Sequence, residues 1–179
     1  FHPASVADYN DAVSNVQKAA AQAKEQQARA ARAIPAGVEV GPIVLTVQGL
    51  ENTRQALHQP IYWLGPKQGY RYDLERTPSN DAYVTYLPPG VAASSNRTRY
   101  VVIGSYPLRN PEAALRKTAN QSGNDIINLP GGGIAVPGKV HPHSVYVAYP
   151  TLDTEIEVYS PQLGEARTLV LSGTLRPVG

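Results

Sequence analysis

Pro35 divides this chain into two stretches of different hydrophobic period, and that break limits the folds open to it. Before it, Ala, Gln, Lys, Glu and Arg dominate residues 4–33, all good helix formers. Val6, Tyr9, Val13, Val16, Ala20, Ala23, Gln27 and Ala30 recur at spacings of three and four, a heptad-like stripe on one helix face. Ser5 can cap this helix, Asp8 lies in its favourable first turn, and Arg29 and Arg32 sit where the helix dipole favours cations. Pro35 and Gly37 stop it. The stripe suits either packing on the chain's own domain or contact with other chains; in the second case its large residues, Val6, Tyr9, Val13 and Val16, are the contacts with a protein partner or a second copy, because the Ala-rich second half offers little area to bury.

After Pro35 the period changes to that of strands. Short β-branched and aromatic runs at 38–40, 43–47, 61–64, 70–75, 82–87, 100–106, 125–129, 144–149, 154–159 and 166–172 are separated by Gly, Pro and other turn formers. The 77–81 segment, Thr-Pro-Ser-Asn-Asp, predicts a hairpin between two of them. A short helix is expected at 50–57. A cleaner one opens with Asn110 as cap and Pro111 in its first turn, its apolar face made of Ala113, Ala114, Leu115 and Ala119. The expected fold class is α+β: a long N-terminal helix (1–35) leading into a mostly antiparallel β-rich domain (36–179) with one packed helix. Its core should include Val44, Leu45, Trp63, Leu74, Val84, Val102, Leu115, Val147, Ile156 and Leu169.

Composition narrows the function classes. A formal charge of +2 with no basic block argues against nucleic acid. No apolar run reaches the roughly 18 residues of a membrane span. The chain opens Phe1-His2-Pro3 and contains no Met, so membrane attachment is expected only through a segment upstream of Phe1. With no Cys there are no disulfides, thiolate metal sites or Cys nucleophiles. The joint absence of Cys and Met suits an oxidant-exposed, extracytoplasmic setting.

No chemical motif is complete. His141-Pro142-His143 lacks a third ligand nearby, which would have to come from His2, His58 or a carboxylate. Gly131-Gly132-Gly133 opens no helix and precedes no Lys-Ser/Thr pair, so it is read as a tight loop and not a phosphate loop. Asp153, Glu155 and Glu157 alternate along one strand face and read as its solvated side. A nucleophile elbow is absent. The expectation is therefore no enzyme, no catalytic residue, no metal and no organic cofactor. Recognition falls to aromatics: the chain has eleven Tyr against one Trp and one Phe. Trp63 is read as core and the tyrosines as mixed, part core and part contact; Tyr62, Tyr70, Tyr72, Tyr83 and Tyr86 are the candidate binding residues, for a protein partner or a glycan.

The segments Ile61-Tyr62-Trp63-Leu64-Gly65-Pro66, residues 69–77 (GYRYDLERT) and Tyr86-Leu87-Pro88-Pro89-Gly90 resemble those of uncharacterised actinobacterial cell-envelope proteins. That resemblance implies an extracytoplasmic domain over 36–179. The order of long helix and then sheet is also similar to type IV pilin-like subunits, which implies a filament role. Their N-terminal Phe opens an apolar segment, whereas His2-Pro3 follow here. Sequence alone thus leads to a structural or binding domain of an envelope or surface protein. The alternatives are a pilin-like subunit and a secreted glycan-active hydrolase or its accessory domain.

Overall fold

A computed structural model of the chain describes residues 33–93 and 96–179, together with Lys18, Ala21 and Gln22. The chain divides into two compact units, Phe1–Ile34 and Pro35–Gly179. In the first, Lys18, Ala21 and Gln22 are helical and exposed. Val6, Tyr9, Val13 and Val16 lie outside the described residues, as does nearly all of the helix expected over 4–33.

The second unit contains β1 (Val40–Leu45), α1 (Val47–Leu57), β2 (Tyr62–Trp63), β3 (Arg71–Arg76), β4 (Ala82–Leu87), β5 (Val102–Pro107), α2 (Pro111–Ser122), β6 (Ile127–Asn128), β7 (Ile134–Pro137), β8 (Ser144–Ala148), β9 (Thr154–Tyr159), α3 (Glu165–Leu171) and β10 (Arg176–Pro177). Eight strands form one sheet in the order β1-β3-β4-β5-β9-β8-β7-β6, and β10 pairs with β2 in a separate ribbon. Every pairing is antiparallel.

These elements correct the expected fold class. The described residues make a predominantly antiparallel eight-stranded sheet with three helices, not one packed helix behind a long leading helix. The main error is at 166–172, read as a strand from its β-branched residues. Residues 166–171 belong to α3, where Ala166 and Val170 lie four apart on one helical face and are both buried, and Ser172 caps its end. A second is β7, hidden between the Gly run and Pro137, whose Ile134, Ala135 and Val136 are all buried.

Local chemistry explains the rest. Thr46 caps α1, its Oγ1 accepting from the Gly49 N–H (3.2 Å). Asn110 occupies the cap position of α2 but its side chain makes no capping bond; Pro111 at the first turn and Gly123 in left-handed conformation bound the helix. In the β3–β4 hairpin, Tyr72 and Leu74 stand opposite Tyr86 and Val84, and all four are buried. Seven of the ten expected core residues are buried, while Val44, Leu45 and Leu169 are half-buried. Elsewhere on the sheet α2 covers β7 and β8 through Leu115, Ala119, Ile134, Val136 and Ala148.

The edge strand is fastened at two points. Gly41 sits at φ 84° where β1 slips register between Val40 and Ile43; a Cβ there would fall 2.1 Å from the Leu74 carbonyl oxygen, so only glycine fits. Arg76, fully buried, donates to the carbonyls of Pro35 (2.7 Å) and Val38 (2.7 Å) and straps the entering segment to the sheet. Asn80 adds a second tie, its Oδ1 accepting from the Gly37 N–H (2.7 Å).

Candidate functional site

The five candidate tyrosines do not share one surface. Tyr62, Tyr72 and Tyr86 are 6%, 0% and 5% exposed. Trp63, Tyr72 and Tyr86 pack edge to face in a row, with centroid separations of 5.3 and 5.2 Å. Tyr70 is half-buried beside them, and Tyr83 stands half-buried on the opposite face of the sheet. So the five candidates are split between core, one rim position and the far face.

The buried hydroxyls nevertheless have specific partners. Tyr86 Oη accepts from the Leu64 N–H (2.7 Å) and donates to the Gly65 carbonyl (2.9 Å). Tyr72 Oη accepts from the Lys67 N–H (2.8 Å). The chain that leaves β2 is thereby pinned at Leu64, Gly65 and Lys67 onto two core side chains. Burial raises the pKa of Tyr86, so its phenol stays neutral and keeps its proton for Gly65.

This pinned segment is one wall of a groove of about 480 Å3. Residues 64–70 form that wall, Pro88 and residues 99–101 a second, and the turn before α3 with α3 itself the third. Leu64, Pro66, Val101 and Leu169 give it an apolar floor. Lys67 and Arg99 are exposed cations on its rim, and the Lys67 ammonium lies 4.1 Å from the centre of the Tyr70 ring. The volume falls within the range of about 300–1,000 Å3 common to small-ligand sites. Of the expected binding residues the groove includes Tyr70 and Tyr86; sequence reasoning missed Lys67, Arg99 and the third wall, because they come from segments about 30 to 110 residues apart and carry no local motif.

The other sheet face carries a polar cluster. Glu157 accepts hydrogen bonds from Tyr106 (2.5 Å to Oε2) and Ser144 (2.5 Å to Oε1). Gly104 makes room for this: a Cβ there would lie 2.5 Å from the Tyr106 hydroxyl. Tyr83 packs edge-on to Tyr106 at 5.8 Å, and Arg97 covers Tyr83 at 4.1 Å while pairing with Glu75. Burial pushes the Tyr146 phenol up to about 12, helped by the charges of Glu157 and Glu155.

His141 and His143 line a depression of about 520 Å3 with Ser144, Tyr146 and Glu157. The His143 Nδ1 lies 3.0 Å from the Ser160 carbonyl, which can only accept, so Nδ1 donates there. Ser144 points at Glu157 and not at a histidine, so no nucleophile–base pair forms there. Asp153 leaves the Glu155–Glu157 row and accepts from the Asn110 N–H (3.4 Å). Among the described residues no group of three His, Asp or Glu side chains is placed to hold a metal ion.

Glu155 yields a pH test. Burial, and then the neighbouring Glu157, raise its pKa above the ordinary 4.5. The folded state therefore binds this proton more tightly than the unfolded one, and stability falls as pH rises through the raised value. Glu155→Gln, a mimic of the protonated form, should match wild type in urea unfolding below pH 4.5 and exceed it at neutral pH. A stability difference that does not change with pH would contradict this.

Compared with known protein families, with curated proteins and with solved structures, the chain matches none.

Proposed function

We propose that residues 35–179 are a non-enzymatic binding domain of an extracytoplasmic envelope or surface protein, and that the groove beside α3 is its ligand seat. One observation carries the reading: the groove wall is fixed before any ligand arrives. Three backbone groups of residues 64–67 are held by the hydroxyls of Tyr72 and Tyr86. A wall held this way loses little entropy when a ligand settles on it. The envelope setting rests on the resemblance of segments 61–66, 69–77 and 86–90, and on the absence of Cys and Met. Those same segments supply Leu64, Gly65, Pro66, Tyr70, Tyr86 and Pro88 to the groove.

A glycan-active hydrolase is the second reading, favoured by the depression that brings His143 and Glu157 together. It is the weaker one, because both oxygens of Glu157 are already engaged and the outer wall is an exposed loop. Amide NMR on the full chain separates the two, with a neutral oligosaccharide, an acidic oligosaccharide, a proline-rich peptide and an acidic peptide as probes. At least one probe should shift the amides of 64–70, 99–101 and 162–174. Silence there from every probe would overturn the binding reading. Shifts confined to 141–146 and 157–159, with cleavage of a sugar probe, would establish the hydrolase instead.

A further inference from the structure

We infer that the groove takes an acidic oligosaccharide, with Lys67 and Arg99 as the residues that meet its carboxylates. This rests on the groove being the ligand seat and adds the chemical class of the ligand.

The charge of the rim points to an anion. Among the described residues the ion pairs are Arg97 with Glu75 and Arg116 with Glu112, so neither Lys67 nor Arg99 meets a carboxylate. Lys67 is held in place by the Tyr70 ring beneath it. The groove has one carboxylate of its own, Glu165, and that is turned onto the buried Ser160 hydroxyl, which donates to it. A third cation stands behind the wall. The Arg176 guanidinium lies over Gly65, where a Cβ would fall 2.5 Å from Nη2, and 6.0 Å from the Trp63 ring. Its charge also reaches Tyr86, which lines the groove, and lowers that phenol's pKa against the burial that raises it.

The floor points to sugar rings. A pyranose presents apolar C–H faces and polar edges. Leu64, Pro66, Val101 and Leu169 suit the faces, and the Gln162 side chain on the rim suits the edges. A guanidinium matches a carboxylate in two parallel hydrogen bonds. An acidic peptide would use the cations but leave the apolar floor uncovered. Single-stranded nucleic acid wants a long basic track, and this chain has a net charge of +2 with no basic block.

Isothermal titration of the full 179-residue chain with tri-galacturonic acid tests this, with maltotriose and a pentaglutamate peptide alongside. The acidic sugar should bind, and more weakly as NaCl is raised from about 50 to about 500 mM, because exposed charge pairs are screened. K67Q and R99Q should each weaken it about tenfold with melting unchanged. Equal binding of maltotriose, equal or tighter binding of pentaglutamate, or indifference to both substitutions would overturn the inference. In each of those cases the groove remains the seat if its amides respond. If no probe moves the groove amides, the seat itself is refuted along with its ligand class.

Discussion

Replacing Trp63 with alanine is expected to remove about 3–5 kcal/mol of unfolding free energy. The indole is 3% exposed and packs edge to face on Tyr72, with the Arg176 guanidinium 6.0 Å from its ring centre. It anchors β2, whose two residues pair with Arg176 and Pro177 of β10. Its Nε1 makes no hydrogen bond among the described residues, so the loss is one of packing and cavity formation, not of a polar partner. Against a typical total of about 5–15 kcal/mol, a deficit of this size brings the domain close to unfolding at physiological temperature. Urea unfolding followed by far-UV dichroism measures it. A loss below about 1 kcal/mol would show that the indole is not part of the core.

The second large effect is at Gly41. An alanine there should cost about 2–4 kcal/mol, since its Cβ would meet a backbone oxygen of the neighbouring strand in addition to adopting a left-handed conformation. The glycine has φ 84°, and the oxygen it would meet, the Leu74 carbonyl, belongs to a fully buried residue that cannot move aside. Gly90 is the control: it has φ 81° but nothing within 4 Å of the added atom. Gly90→Ala should therefore show the conformational term alone and cost distinctly less. Hydrogen exchange should also show that Gly41→Ala frees the amides of β1 while leaving β5 and β9 protected. Equal costs at the two glycines would mean that the close approach at Gly41 is relieved easily.

Much of the sheet was legible because its signal is local. Thr154, Ile156 and Val158 alternate with Glu155, Glu157 and Tyr159, and the structure buries the first set and half-exposes the second. The Thr77–Asp81 turn and the strands around it were found for the same reason. The failures come from tertiary override. In α3, Thr168 and Val170 favour a strand by propensity, but the packing of Ala166 and Val170 makes a helix of one short segment. The tyrosines are a different case. A tyrosine in a sequence carries both a ring and a hydroxyl, and which one matters depends on distant partners. Tyr72 and Tyr86 find theirs in Leu64, Gly65 and Lys67, so their hydroxyls hold the groove wall in place, while Tyr83 lies on the other side of the sheet. Lys67 and Arg99 had no signal at all, because unpaired cations become conspicuous only once the fold shows which carboxylates are out of reach.

The central claim is that the groove beside α3 holds the ligand, and filling it is the most direct measurement. Thr174 is exposed and lines the groove, so Thr174→Trp should occupy the space without disturbing the core. The account predicts an unchanged melting temperature and loss of binding for tri-galacturonic acid in titration calorimetry. Full affinity retained by the folded Thr174→Trp chain would contradict it and place the ligand elsewhere on the domain.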